Sequence, residues 1–221
     1  MTYSESYFTA RESWRDWRIE ARQMMHLACV SKGTRVLEIG CGGGGLLRLL
    51  RKRGAVAVGM DTLDVALELA RGRDDPAGQL YDVIRVGVEA ALPFRDAAFD
   101  VIVGQHVVEH LMNVGDALCE WNRLLKPGGH LALATPNARY PDPVHFADAD
   151  HTRVFSLPEL RDAAERAGFA IEAAYTMFPF LSRNRALRGL GVIGYRVFLH
   201  APYFSVRGRT IMLGARKRPD P

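Results

Sequence analysis

The stretch "VLEIGCGGGG", residues 36–45, decides the fold. Val36, Leu37 and Ile39 suit a short buried strand, and five of the next six residues are glycine. Glycines where a strand ends and a helix opens let backbone approach a ligand closely and aim helix N–H groups at it. The dinucleotide fingerprint G-x-G-x-x-G threads onto Gly40, Gly42 and Gly45, which admits a hydride-transferring oxidoreductase. Glu38 argues against that reading, because a carboxylate beside the ligand meets an ammonium well and repels a pyrophosphate. Asp61, 23 residues further on, closes the next apolar run, where a carboxylate accepts both hydroxyls of a ribose.

Working outward, short β-branched runs alternate with helical ones: "GLLRLLRKRG", "AVAVGMD", "TLDVALELARGR", "DVIRVG", "FDVIVGQ", "VGDALCEWNRLLKPGG" and "HLALATPN". Apolar strands separated by amphipathic helices make an α/β, doubly wound parallel sheet covered on both faces. Upstream, residues 9–29 read as one amphipathic helix, with Trp14 and Trp17 packing in a lid or the core. Downstream, "ARYPDPVHFADADHTRVF" is irregular, and "SLPELRDAAERAGF" starts a helix with Ser156 as N-cap, Glu159 three residues on and Gly168 at its end. "AIEAAYTMF" and "RTIMLGAR" read as strands, with a Gly-interrupted amphipathic segment at 184–200 between them. The expectation is a single domain over 1–221: a helical lid at 1–30, a ligand-binding core at 31–137, a substrate loop at 138–156, and helices and strands over 157–221.

The start of the chain lacks the apolar run of a signal peptide, and no stretch approaches the roughly 18 apolar residues that span a bilayer, so a cytoplasmic protein is expected. Cys29, Cys41 and Cys119 are odd in number and have no C-x-x-C spacing, which points to reduced thiols. Net charge is +4, but residues 173–219 contain no Asp or Glu and nine Arg or Lys. Such a basic end permits peripheral contact with an anionic membrane. No nucleic-acid partner is expected, because the first 172 residues are slightly acidic.

Two later segments, "ALPFRDAAFDVIVGQHVVEHL" and "WNRLLKPGGHLALATPN", complete a motif order of E-x-G-x-G-x-G, second-strand acid, L-P-F then F-D, E-H, and L-K-P-G-G. Over about residues 34–168 this order resembles the class I S-adenosylmethionine-dependent methyltransferases, especially the small-molecule group that includes the ubiquinone and menaquinone enzymes. The resemblance implies a seven-stranded Rossmann-like sheet whose last strand is antiparallel, S-adenosyl-L-methionine as cofactor, and methyl transfer to a small organic acceptor, most often at oxygen. By position, Glu38, Gly40, Cys41 and Gly42 would meet the methionine half, Asp61 and Thr62 the ribose, and Gln105 the transferring methyl. The family's acid before L-P-F is Val88 here, in "GVEAALPF", with Glu89 as its substitute toward the adenine. A cofactor-binding protein without transfer activity, or an RNA methyltransferase, is the alternative.

"GQHVVEH", residues 104–110, matches the H-x-x-E-H of one zinc peptidase class, but that motif needs a helix around it and here a strand precedes His106. In the ubiquinone O-methyltransferases the chain resembles, E-x-x-E-H at this place holds a divalent ion. His106 in the first position weakens a magnesium site, and no metal is expected. An imidazole beside the methyl can take a proton from an attacking hydroxyl, so His106 is the expected general base. His110, Tyr140, His145, His151 and Arg153 are the expected acceptor contacts, and Arg18 or Arg22 reaches the cofactor carboxylate from the lid.

Overall fold

A computed structural model describes residues 3–72, 82–87, 91–140, 151–179, 194 and 205–219. Seven strands form one sheet: β1 (Arg35–Ile39), β2 (Val56–Asp61), β3 (Asp82–Arg85), β4 (Phe99–Gln105), β5 (Leu125–Pro136), β6 (Phe169–Pro179) and β7 (Gly208–Lys217). Their order is β3-β2-β1-β4-β5-β7-β6. The first five run parallel, and β7 is inserted antiparallel between β5 and β6.

Alternation along the strands sorts the core into two layers. Leu37, Ile39, Ile102 and Leu133 pack against Trp121 of α5 (Val114–Leu124) and Leu160 of α6 (Leu157–Arg166). Val36, Val101, Val103 and Ala134 face the other way, against Leu47 and Leu50 of α3 (Gly45–Lys52) and Leu67 of α4 (Asp64–Arg71). Helix α6 begins with the expected capping box: the Ser156 and Glu159 side chains each satisfy the other's backbone.

The single N-terminal helix expected over 9–29 is two helices. In α1 (Glu5–Ser13), the Ser4 side chain accepts from the Tyr7 N–H; Trp14 is extended, and α2 (Arg15–Leu27) follows. Breaking at Trp14 leaves that indole 41% exposed and frees each helix to lie on its own surface. Helix α2 buries Ala21, Met24 and Met25 against the sheet, so it is a fixed wall of the fold. Among the described residues no helix is long and apolar enough to cross a membrane. The 184–200 segment lies outside the described residues except for Gly194.

Candidate functional site

The carboxyl ends of β1, β2 and β4 open into a cavity of about 720 Å³. Its floor is the glycine turn, and Gly42 shows why a side chain is excluded: its φ is +51°, and a Cβ there would meet the Phe8 ring of α1 at 3.1 Å. Helix α1 thus lies directly over the turn. Asp61, at the end of β2, accepts the N–H of Gly42 at 2.9 Å and of Leu63 at 3.0 Å, one on each oxygen, keeping further lone pairs for a ligand. Thr62 lines the cavity beside it.

Glu38 is 3% exposed, and its Oε2 has no hydrogen-bond partner. Burial, then the neighbouring Glu12 and Asp61 carboxylates, push it well above the usual carboxylate range. Burial likewise pushes the Cys41 thiol up and keeps it neutral. A buried carboxyl with one oxygen unpartnered, beside a glycine turn, fits the ammonium of an amino-acid ligand. Glu12 of α1 lies against Gly45, where α3 begins.

His106 follows β4 with φ +56°, a left-handed conformation that a non-glycine residue adopts only when its surroundings enforce it. They do so here: its backbone N–H donates to the Ala134 carbonyl, Nε2 lies 2.9 Å from Glu20 Oε2, and Nδ1 lies 3.2 Å from Glu109 Oε1. The Thr210 hydroxyl of β7 and the Gln105 amide donate to Glu20, and the Thr135 hydroxyl of β5 donates to Glu109. Two carboxylates facing both ring nitrogens favour an imidazolium, which can donate to each. Burial opposes that charge, but the Glu20 carboxylate and the hydrogen bonds to Glu109 and Glu20 outweigh it and hold His106 at about 9. Burial also opposes the Glu109 charge, and the His106 hydrogen bond and charge bring that carboxyl down to about 2.

His106, the expected general base, thus has a carboxylate oxygen against each of its ring nitrogens. His110 is half-buried at the cavity wall, in the 3₁₀ turn Val108–His110, and His151 packs edge-on against it with ring centroids 4.9 Å apart. The Glu109 carbonyl accepts the N–H groups of Thr152 and Arg153, fastening that segment here. Among the described residues Glu109, His110 and His151 bring one potential metal-ligand atom each within 4.8 Å of one another, although both Glu109 oxygens already accept hydrogen bonds.

Of the remaining expected residues, Gly40, Cys41, Gly42 and Gln105 line the cavity. Tyr140, His151 and Arg153 are not part of its described lining; Arg153 instead stacks on Phe155 and pairs with Glu159 at 3.6 Å. Val88, Glu89 and His145 lie outside the described residues. Arg18 and Arg22 are exposed, and among the described residues the arginine that lines the cavity is Arg11. Glu20 went unread in the sequence, although a signal existed: it shares a helical face with Trp17 and Met24, an acid on an apolar stripe.

A family model described as a methyltransferase domain matches residues 7–174. The chain belongs to the methyltransferase-domain family. A probable S-adenosylmethionine-dependent methyltransferase of Mycolicibacterium smegmatis is 33% identical over 148 residues, 66% of this chain and 56% of that protein. A ubiquinone biosynthesis O-methyltransferase of Roseobacter denitrificans is 38% identical over 106 residues, 48% of this chain and 42% of that protein. The chain therefore spans about half the length of the curated relatives it matches. In fold it is similar to an S-adenosylmethionine-dependent methyltransferase from Mesorhizobium loti, with a TM-score of 0.67 at 20% identity, covering 93% of this chain and 99% of the other. Family and fold together imply S-adenosyl-L-methionine as the cofactor, and the buried Glu38 carboxyl with its unpartnered Oε2, the glycine turn and Asp61 fit its polar ends.

Proposed function

We propose that this methyltransferase-family chain moves the methyl group of S-adenosylmethionine to an oxygen of a small organic acceptor, working in the cytoplasm. The observation that carries the reading is the cavity itself: its volume of about 720 Å³ suits a cofactor with a small partner, and beyond the glycine turn its walls are Tyr7, Trp17, Leu111 and Met112. The O-methyltransferase names of relatives support oxygen as the accepting atom.

When bound, the cofactor supplies a methyl group activated by its positive sulfur. The chain's residues supply grip, alignment and proton handling. Glu38 receives the ammonium, Asp61 the ribose hydroxyls, and Arg11, the cavity's arginine, the carboxylate. The apolar walls hold the acceptor oxygen in line and keep water away, which is where most of the acceleration of such a displacement arises. His110 takes the hydroxyl proton in place of His106, since it reaches the cavity and His106 has both nitrogens committed.

The test is methyl transfer to a panel of phenols, catechols, carboxylic acids and amines, read by mass spectrometry. Transfer to oxygen acceptors is expected, and transfer confined to amines would sink the reading. With a hydroxyl acceptor found, His110→Ala is expected to lower kcat by about 10²- to 10⁴-fold, and far less for an acceptor ionised beforehand. An equal loss for both acceptors would remove His110 from the proton path.

A further inference from the structure

We propose that the outer face of α2 and α3 docks the protein on an anionic lipid surface. The inference is independent of both the cofactor and the acceptor. Between Arg15 and Gly59 the chain holds three acids, Asp16, Glu20 and Glu38, and none of them is exposed. Over the same span Arg15 and Arg22 of α2, Lys32 of the turn after it, Arg48 and Lys52 of α3 and Arg53 at its end are all exposed. Helical spacing explains the sorting: α2 buries Ala21, Met24 and Met25, and α3 buries Leu46, Leu47 and Leu50, which leaves the cations on the side away from the sheet. The two helices touch, and the turn closes on the end of α3: a Cβ at Gly54 would meet Lys32 Cγ at 3.0 Å, and the Gly33 N–H donates to the Gly54 carbonyl at 2.8 Å. The six cations therefore share one face of one layer.

Among the described residues none of these six side chains forms an ion pair or a hydrogen bond. The exposed acids of the layer, Asp64 and Glu68, belong to α4, and Asp64 already pairs with Arg85 at 3.2 Å. Cations that bind nothing within the fold only repel one another, so the face gains when negative charge is laid against it. Spread along two helices, they match a diffuse array of charge, each cation raising the partitioning onto an anionic membrane about fivefold. Two exposed apolar side chains flank them. Trp14, 41% exposed, stands immediately before Arg15, and Val56, 56% exposed, binds the Thr34 carbonyl through its N–H, beside the turn of Lys32. An indole and a valine at the margins of a basic face suit the boundary between headgroups and acyl chains, whereas Val56 finds no partner on the phosphates of a nucleic acid.

The experiment is co-sedimentation of the full chain with vesicles of phosphatidylcholine alone and with vesicles containing about one-third phosphatidylglycerol, at about 0.1 M salt. Binding to the anionic vesicles only, released at about 0.5 M salt, is expected. Lys32→Gln, Arg48→Gln and Lys52→Gln combined should weaken it by about a hundredfold, with the circular dichroism spectrum unchanged. Arg139→Gln, Arg161→Gln and Arg166→Gln combined remove the same net charge from exposed positions elsewhere and should weaken it by less than about threefold. Equal losses in the two triple variants would assign attachment to net charge alone, and full binding by the first would assign it to another stretch of the chain; either overturns the proposal. So does equal binding to both kinds of vesicle, or binding to neither. Preference for an RNA oligonucleotide over the anionic vesicles, read by fluorescence anisotropy, would make the face a nucleic-acid surface and overturn the lipid assignment.

Discussion

Glu38 is the residue where sequence and site meet most directly. An acid in an otherwise apolar strand asks for a reason, and the structure supplies one: its carboxyl is buried, lacks a partner on Oε2 and is pushed well up by burial and by Glu12 and Asp61. A carboxyl that is neutral before an ammonium arrives and ionised afterwards must give up its proton on binding. Cofactor binding is therefore expected to be accompanied by proton release, measured by calorimetry in buffers of different ionisation enthalpy, and affinity should rise with pH through the elevated Glu38 range. Glu38→Gln should abolish the release and weaken binding by about tenfold or more, the worth of a charge-assisted hydrogen bond. Undiminished proton release in that variant would place the linked group elsewhere. His106 teaches the opposite lesson: its position was legible as the end of a strand, but its partner Glu20 was not, because Glu20 lies 86 residues away and no local pattern pairs the two.

Among the elements, the strands and helices from β1 to α6 were legible because each carries its own periodicity and its own turn chemistry. The break at Trp14 was not, since both sides of it continue one helical pattern and only docking onto two different surfaces separates them. The contact of α3 with β2 depends on a smaller feature. Gly59 lies in the middle of β2, where a Cβ would meet Leu47 Cδ1 at 2.6 Å and Cys41 Cβ and Sγ at 2.9 Å. The missing side chain lets the helix and the glycine turn settle directly on the strand. Gly59→Ala is expected to destabilise the fold by about 1–3 kcal/mol, the usual cost of overpacking, and to weaken cofactor binding because Cys41 belongs to the turn. Urea unfolding and cofactor titration of the same variant check both parts; a variant as stable as the parent would mean that Leu47 yields without cost.

On the scale of the whole molecule, the Glu20–His106–Glu109 unit ties α2, the end of β4, the 3₁₀ turn and, through Thr135 and Thr210, β5 and β7. Its charges make stability depend on pH at both ends. The His106 contribution is complete below pH 6.5, where the unfolded imidazole is protonated too, and it is lost as pH rises from 6.5 toward about 9. The Glu109 contribution is complete above pH 4.5 and is lost as pH falls from 4.5 toward about 2. Thermal midpoints should accordingly decline on the alkaline side from pH 6.5, and His106→Gln should flatten that limb while starting from a lower value. An alkaline limb of unchanged slope in the variant would assign it to another group. The fold class could be read from strand and helix order, because that order is written locally. The position of β7 between β5 and β6 could not, since pairing across a sheet is decided by partners far apart in the chain.

That insertion also imposes a sequence in time. Among the described residues strand β6 has no neighbour in the sheet except β7, which is synthesised after it, so on the ribosome β6 must wait. The Thr210 hydroxyl that holds Glu20 stands 190 residues from it. The glycine turn and Asp61 are thus made early, whereas the wall opposite them is fastened only once β7 has slid into its slot. A nascent chain halted before β7 would carry the cofactor's contacts on an unfinished chamber, which makes the arrival of one late strand the moment at which binding surface becomes working site.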